Sequence, residues 1–155
     1  MGMFRKRYRI DAWIESKCKV SDDYLSNKEE HSSIMKKELL LEEGKLPYGF
    51  MYPDSIKKAI KYDLVNLCPW TILERSFAEF MLDGIQSRYP TKKYIPFASR
   101  QDNDDFACFV GGQGEEVQII HDFASPGWEA YGNKYQDFWE WFKVAIDDMI
   151  EGDYD

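Results

Sequence analysis

Four consecutive residues, Asp102-Asn103-Asp104-Asp105, place carboxylates and an amide in one short stretch, the kind of composition from which calcium loops and acid–base pairs are built. An EF-hand loop opening at Asp102 needs glycine at its sixth position and glutamate at its twelfth. Those positions hold Ala107 and Gln113, so the metal reading fails on spacing. Capping of backbone N–H groups at a chain reversal is the expected role for Asp104 and Asp105. The histidines are His31 and His121. His121 precedes Asp122, but neighbours in an extended chain point to opposite sheet faces, so adjacency alone makes no general-base pair. The run Gly111-Gly112-Gln113-Gly114 lacks the Gly-Lys-Ser/Thr ending and the helix of a phosphate loop, and reads as a hairpin turn. With no Gly-x-Ser-x-Gly elbow, His-Glu-x-x-His pair or dinucleotide-binding glycine pattern, the expectation is a non-enzymatic protein without cofactor or metal.

Cys18, Cys68 and Cys108 are an odd set at wide spacing, which argues for reduced thiols over a disulfide framework or zinc site. Charge is more informative than the net −8. Residues 1–60 carry 12 basic and 10 acidic side chains, whereas residues 101–155 carry 2 basic and 14 acidic, a local balance of −12. Such a field repels nucleic acid and anionic lipid and attracts basic proteins, and it also serves solubility. Residues 1–7 are followed by no apolar run of signal-peptide length, no segment approaches the roughly 20 apolar residues of a membrane helix, and Lys6 stands where a myristoylation motif has Ser or Thr. A cytoplasmic protein is expected.

The elements that must position these residues follow from periodicity. At 155 residues, with 44% apolar and 16% aromatic side chains, one domain over 1–155 with one sizeable core is expected. Residues 4–14 alternate arginines with Lys6, Tyr8 and Ile10, as an edge strand with a cationic face would. Ser26-Asn27-Lys28-Glu29 has capping-box spacing before a helix carrying Ile34, Met35, Leu39 and Leu40, with Gly44 as its left-handed stop. Pro53 and Asp54 open a short helix with Ile56, Ile60 and Leu64. A strand follows around Trp70 to Leu73, then a helix whose inward stripe is Phe77, Phe80, Met81 and Ile85. Residues 94–110 read as a β-hairpin with an acidic tip, its turn beginning at Phe97. Phe106, Cys108 and Val110 fall on one face and Ala107 and Phe109 on the other, so this strand is central. A strand over 116–123, a break at Ser125-Pro126-Gly127-Trp128, and a helix over 135–150 with Phe138, Phe142, Ala145, Ile146 and Met149 inward complete the chain. The expected class is α+β: a mainly antiparallel sheet with N-terminal helices, an inserted helix and a C-terminal helix, covered on one side.

Several of these segments together resemble one family. Leu46-Pro47 before a helix, Pro69-Trp70-Thr71-Ile72-Leu73, the run Ile95-Pro96-Phe97-Ala98, Asn103-Asp104-Asp105-Phe106-Ala107-Cys108-Phe109, Val117-Gln118-Ile119-Ile120, and Phe138 with Trp141 and Phe142 are similar to the SUKH superfamily. That superfamily comprises bacterial immunity proteins and fungal cell-wall assembly regulators. The resemblance covers residues 46–146. The chain departs from the family by lacking the Asn-Gly pair many members carry after the Leu-Pro helix and by a longer N-terminal arm.

The resemblance implies a binding protein that neutralises a cognate toxin, of nuclease type and with a basic surface. A protein of that kind can present carboxylates where phosphates would sit. The candidate contacts are Asp102, Asp104, Asp105, Glu115, Glu116, Asp122 and Glu129, with Trp128 and Tyr131 as aromatic anchors in the loop at 125–134. Packing of Trp128 over the sheet edge is the structural alternative. A regulatory scaffold like the fungal members, and a small hydrolase or ligand-binding protein with an acidic cleft, are the competing readings.

Overall fold

A computed structural model describes residues 39–152. The expected cationic edge strand at 4–14, the capping box at Ser26, Cys18 and His31 lie outside the described residues. After a 3-10 turn at Glu43–Lys45, the helix α1 spans Asp54–Lys61. The strands β1 (Asn66–Leu67) and β2 (Trp70–Ile72) precede helix α2 (Arg75–Arg88). Strands β3 (Tyr94–Arg100), β4 (Asp105–Val110), β5 (Val117–His121) and β6 (Lys134–Tyr135) lead to helix α3 (Phe138–Glu151). The six strands form one sheet in chain order, each antiparallel to its neighbour, with α2 inserted between β2 and β3. The class is α+β, as expected.

Local sequence rules account for the clearest boundaries. Asp137 accepts a hydrogen bond from the Glu140 N–H at 2.9 Å, and Glu140 Oε2 reaches back to the Gln136 N–H at 2.6 Å. This reciprocal arrangement starts α3 three residues later than its apolar period predicts. Gly112 and Gly114, at φ 84 and 63, supply the left-handed positions that turn β4 into β5. Gly44 does not close a helix in that conformation; it sits within the 3-10 turn.

Alternation along β4 sends Phe106 and Phe109 to opposite faces, and both are buried. On one face Phe109 stacks on Phe97 at 4.4 Å between ring centroids, and Phe97 meets Trp141 of α3 at 4.9 Å. Trp141 in turn lies edge-on to Trp70 at 5.6 Å, and α1 packs on α3. On the other face Phe106 approaches Phe77 of α2 at 6.5 Å, and Ala78, Met81, Leu82 and Ile85 of α2 are buried. The sheet is therefore covered on both faces, which corrects the one-sided expectation. A strand apolar on both faces leaves a costly exposed surface unless a helix lies on each.

Two further expectations change. The β3–β4 turn does not begin at Phe97, because β3 continues to Arg100 through a register shift between Pro96 and Ala98. A bulge there re-phases the following residues, and Arg100 then reaches Asp148 of α3 at 2.9 Å. The inward stripe of α2 is rotated: Met81 and Ile85 are buried, but Phe80 is 71% exposed and Phe77 only half-buried. Ala78 and Leu82 take those places, since the small Ala78 lets the helix approach the sheet.

Candidate functional site

The site forms where β4 begins and β5 ends. Asp105 and His121 are directly paired across these strands, and partners in register share a face. The His121 Nδ1 lies 2.8 Å from Asp105 Oδ1. Asn103 fixes the carboxylate from the turn: its Oδ1 accepts the Asp105 N–H at 2.8 Å, and its Nδ2 donates to Asp105 Oδ2 at 3.1 Å. The cap of this hairpin is thus Asn103, not Asp104 or Asp105. The hydrogen bond to Asp105 holds the His121 imidazole above its ordinary value of 6.5, with the charges of Asp105, Asp104 and Asp122 acting in the same direction.

Asp122 points the opposite way, as extended geometry requires, and is 1% exposed. Arg88 at the end of α2 closes on it with two hydrogen bonds, Nε to Oδ1 at 2.8 Å and Nη2 to Oδ2 at 2.6 Å. Phe123 then adopts φ 64, unusual for so bulky a residue. Two contacts hold it: its N–H donates to Asp122 Oδ1 at 2.9 Å, and the Arg88 guanidinium lies 4.3 Å over its ring centroid.

Beyond Phe123 the chain turns back along β5. The His121 N–H donates to the Glu129 carbonyl at 2.8 Å and the Ile119 N–H to Asn133 at 3.0 Å. Glu129 is 1% exposed; Oε1 accepts from the Tyr94 hydroxyl at 3.2 Å and Oε2 from the Gly127 N–H at 2.6 Å. Burial and then the Glu129 charge push the Tyr94 hydroxyl well above its ordinary range. Tyr89 adds a hydrogen bond to the Ala124 carbonyl at 2.9 Å. Gly132 is held by contact: a Cβ there would fall 2.8 Å from both Cβ and the carbonyl oxygen of Ile119, so only glycine lets the loop lie this close to β5.

Either side of the buried Glu129, Trp128 and Tyr131 stand 68% and 86% exposed. Together with Asp105, Ile119, His121, Ala124 and Gly132, they line an open cleft of about 360 Å³. An imidazole with Nδ1 engaged by a carboxylate leaves Nε2 as its free nitrogen. The cleft combines two aromatic surfaces, a carboxylate and that imidazole.

The nine residues expected to meet a partner do not form one patch. Asp104, Asp105, Trp128 and Tyr131 lie at this end of the sheet, and the Asp122 N–H ties the loop to the Asp104 carbonyl at 3.0 Å. Asp102 belongs to the same turn but is engaged by Arg100 at 2.7 Å. Glu115 and Glu116 flank the β4–β5 turn at the opposite end, where Glu116 pairs with Lys134 at 2.9 Å. Asp122 and Glu129 are interior, which corrects their assignment to the acidic surface; burial of a carboxylate is tolerated here because Arg88, Tyr94 and Gly127 satisfy it. His121 and Asn103 were missed as a unit with Asp105 because their meeting depends on strand register. Among the described residues, no group of three or more His, Cys, Asp and Glu side chains is placed to hold a metal ion, and no helix is long and apolar enough to cross a membrane.

No protein-family model matches the chain, and neither a curated protein nor a solved structure matches it.

Proposed function

We propose that this chain is a protein-binding module, an immunity protein that neutralises a cognate toxin of nuclease type by direct contact through the end of the sheet where β4 begins and β5 ends. One observation carries the reading. Trp128 and Tyr131 remain exposed although their backbone is tied down at Gly127, Glu129 and Asn133. Rigid exposed aromatics lose little entropy on binding and are the side chains that anchor protein interfaces. The acidic turn beside them, Asp104 and Asp105 together with an Asp102 partly answered by Arg100, supplies a field that speeds encounter with a basic partner. The resemblance of residues 46–146 to the SUKH superfamily supplies the toxin.

The test first finds the partner, as a toxin-like product of a neighbouring gene or by pull-down with this chain, and then measures its association at low and high salt. Replacing Asp102 and Asp104 with Lys slows association at low salt and flattens its salt dependence, while the same change at Glu115 and Glu116 has a smaller effect because that turn lies at the far end of the sheet. Dissociation changes less than association. Equal association rates for the native protein and the Asp102/Asp104 variant at low salt, with both folded, remove this face as the contact surface.

A further inference from the structure

Resting on that reading of the same face, we propose that the cleft between Asp105, His121, Trp128 and Tyr131 is a receptor for one arginine side chain of the partner, its guanidinium placed against the aromatic rings and its N–H groups directed to the carboxylates of Asp104 and Asp105.

The lining selects the occupant. Ile119, Gly132 and the two aromatic side chains give an apolar wall for an aliphatic stem, and its volume of about 360 Å³ suits one long side chain rather than a packed helix. Carboxylates outnumber cations at the mouth: Asp105 lies at the wall and Asp104, near enough to act on His121, is exposed in the adjoining turn, against one imidazole already paired with Asp105, and neither Lys nor Arg lines the cleft. A guanidinium matches such a surface because it is planar, weakly hydrated, stacks on aromatic faces and forks toward carboxylates. Asp105 keeps capacity for it, since an ionised carboxylate offers about four lone-pair sites and only His121 and Asn103 occupy them here. The receptor is also built in advance. Glu129 anchors the backbone between Trp128 and Tyr131 from inside, and Gly132 brings the loop against Ile119.

The experiment titrates the full chain with the blocked tripeptides Gly-Arg-Gly, Gly-Gln-Gly and Gly-Glu-Gly, following the Trp128 indole N–H and the Ile119 and Gly132 amides by NMR. The arginine peptide shifts all three signals with millimolar affinity, the glutamine and glutamate peptides leave them in place, and Trp128→Ala weakens arginine binding about fivefold. Asp104→Asn with Asp105→Asn weakens it further. Equal shifts from the glutamine peptide, or arginine binding that Trp128→Ala leaves unchanged, overturn the proposal. Association of the Trp128→Ala variant with the toxin separates the two readings. Slowed or weakened toxin binding by Trp128→Ala, with no arginine-peptide binding by the native chain, retains the face and rejects the receptor; arginine-peptide binding at the cleft of the native chain, with toxin binding unchanged in Trp128→Ala, retains the receptor and rejects the face.

Discussion

Arg88 and Asp122 join α2, on one face of the sheet, to the segment that leaves β5, through two hydrogen bonds of 2.8 and 2.6 Å. The Asp122 side chain is fully buried and that of Arg88 is 29% exposed. This pair sets where the Trp128 loop begins, and Glu129 sets where it turns back.

Removing Arg88 leaves a buried carboxylate without its counter-charge. Arg88→Met is expected to cost roughly 3 kcal/mol, the lower end for a broken buried pair because the guanidinium is partly solvated. Combining it with Asp122→Leu recovers much of that loss, since no charge is then stranded. Denaturant midpoints of the three variants check this, and a double variant no more stable than Arg88→Met would show that the pair acts by more than charge compensation.

Glu129 should govern loop rigidity more than binding chemistry. Glu129→Ala removes the acceptor of the Gly127 N–H and of the Tyr94 hydroxyl, an expected loss of about 1–3 kcal/mol. Amide exchange at Gly127 and Trp128 then accelerates well beyond that at Cys108 in the buried strand β4. Exchange that stays slow at Gly127 would mean the loop is held by its backbone bonds to β5 alone.

His121 titrates above 6.5 because Asp105 accepts its Nδ1 proton. A folded-state value above the unfolded one means the charged imidazole stabilises the fold: the contribution is fully present below about pH 6.5 and is lost as pH rises through the raised value. Asp105→Asn should return the His121 titration toward 6.5 and flatten this dependence. NMR titration of the imidazole decides it, and an unchanged midpoint in Asp105→Asn would remove the pair as the cause.

Phe97 and Phe80 make a contrasting pair. Phe97 is 2% exposed and meets Phe109, Phe138 and Trp141, so Phe97→Ala is expected to cost roughly 3–5 kcal/mol. Phe80 is 71% exposed, and Phe80→Ser is expected to stay within about 0.5 kcal/mol. Thermal or denaturant unfolding distinguishes them; a large loss at Phe80 would restore it to the core.

Local patterns were legible wherever a rule acts within a few residues. The period of Asp105–Val110 showed a strand buried on both faces, and Gly112 and Gly114 marked the following turn, whereas the apolar period placed the start of α3 at 135, three residues ahead of Phe138, where the Asp137 cap opens the helix. Opposite directions for His121 and Asp122 followed from extended geometry alone. What the periodicity of α2 could not settle was which of two adjacent apolar stripes faces inward. Phe77 and Phe80 outweigh Ala78 and Leu82 in hydrophobicity, but the sheet face accommodates the smaller side chains.

The site itself was decided by tertiary structure. Three of its residues, Asp105, Trp128 and Tyr131, stood among the candidates by type, yet nothing in their sequence separation specifies that a cleft joins them. Strand register places Asp105 opposite His121, and a glycine at position 132 lets the loop close over Ile119. Burial divided the acidic residues in the same way. Amino-acid type makes Asp104, Asp122 and Glu129 equally negative, but only the fold brings Arg88 and Tyr94 to the last two, converting them from surface charges into the supports of the loop between them.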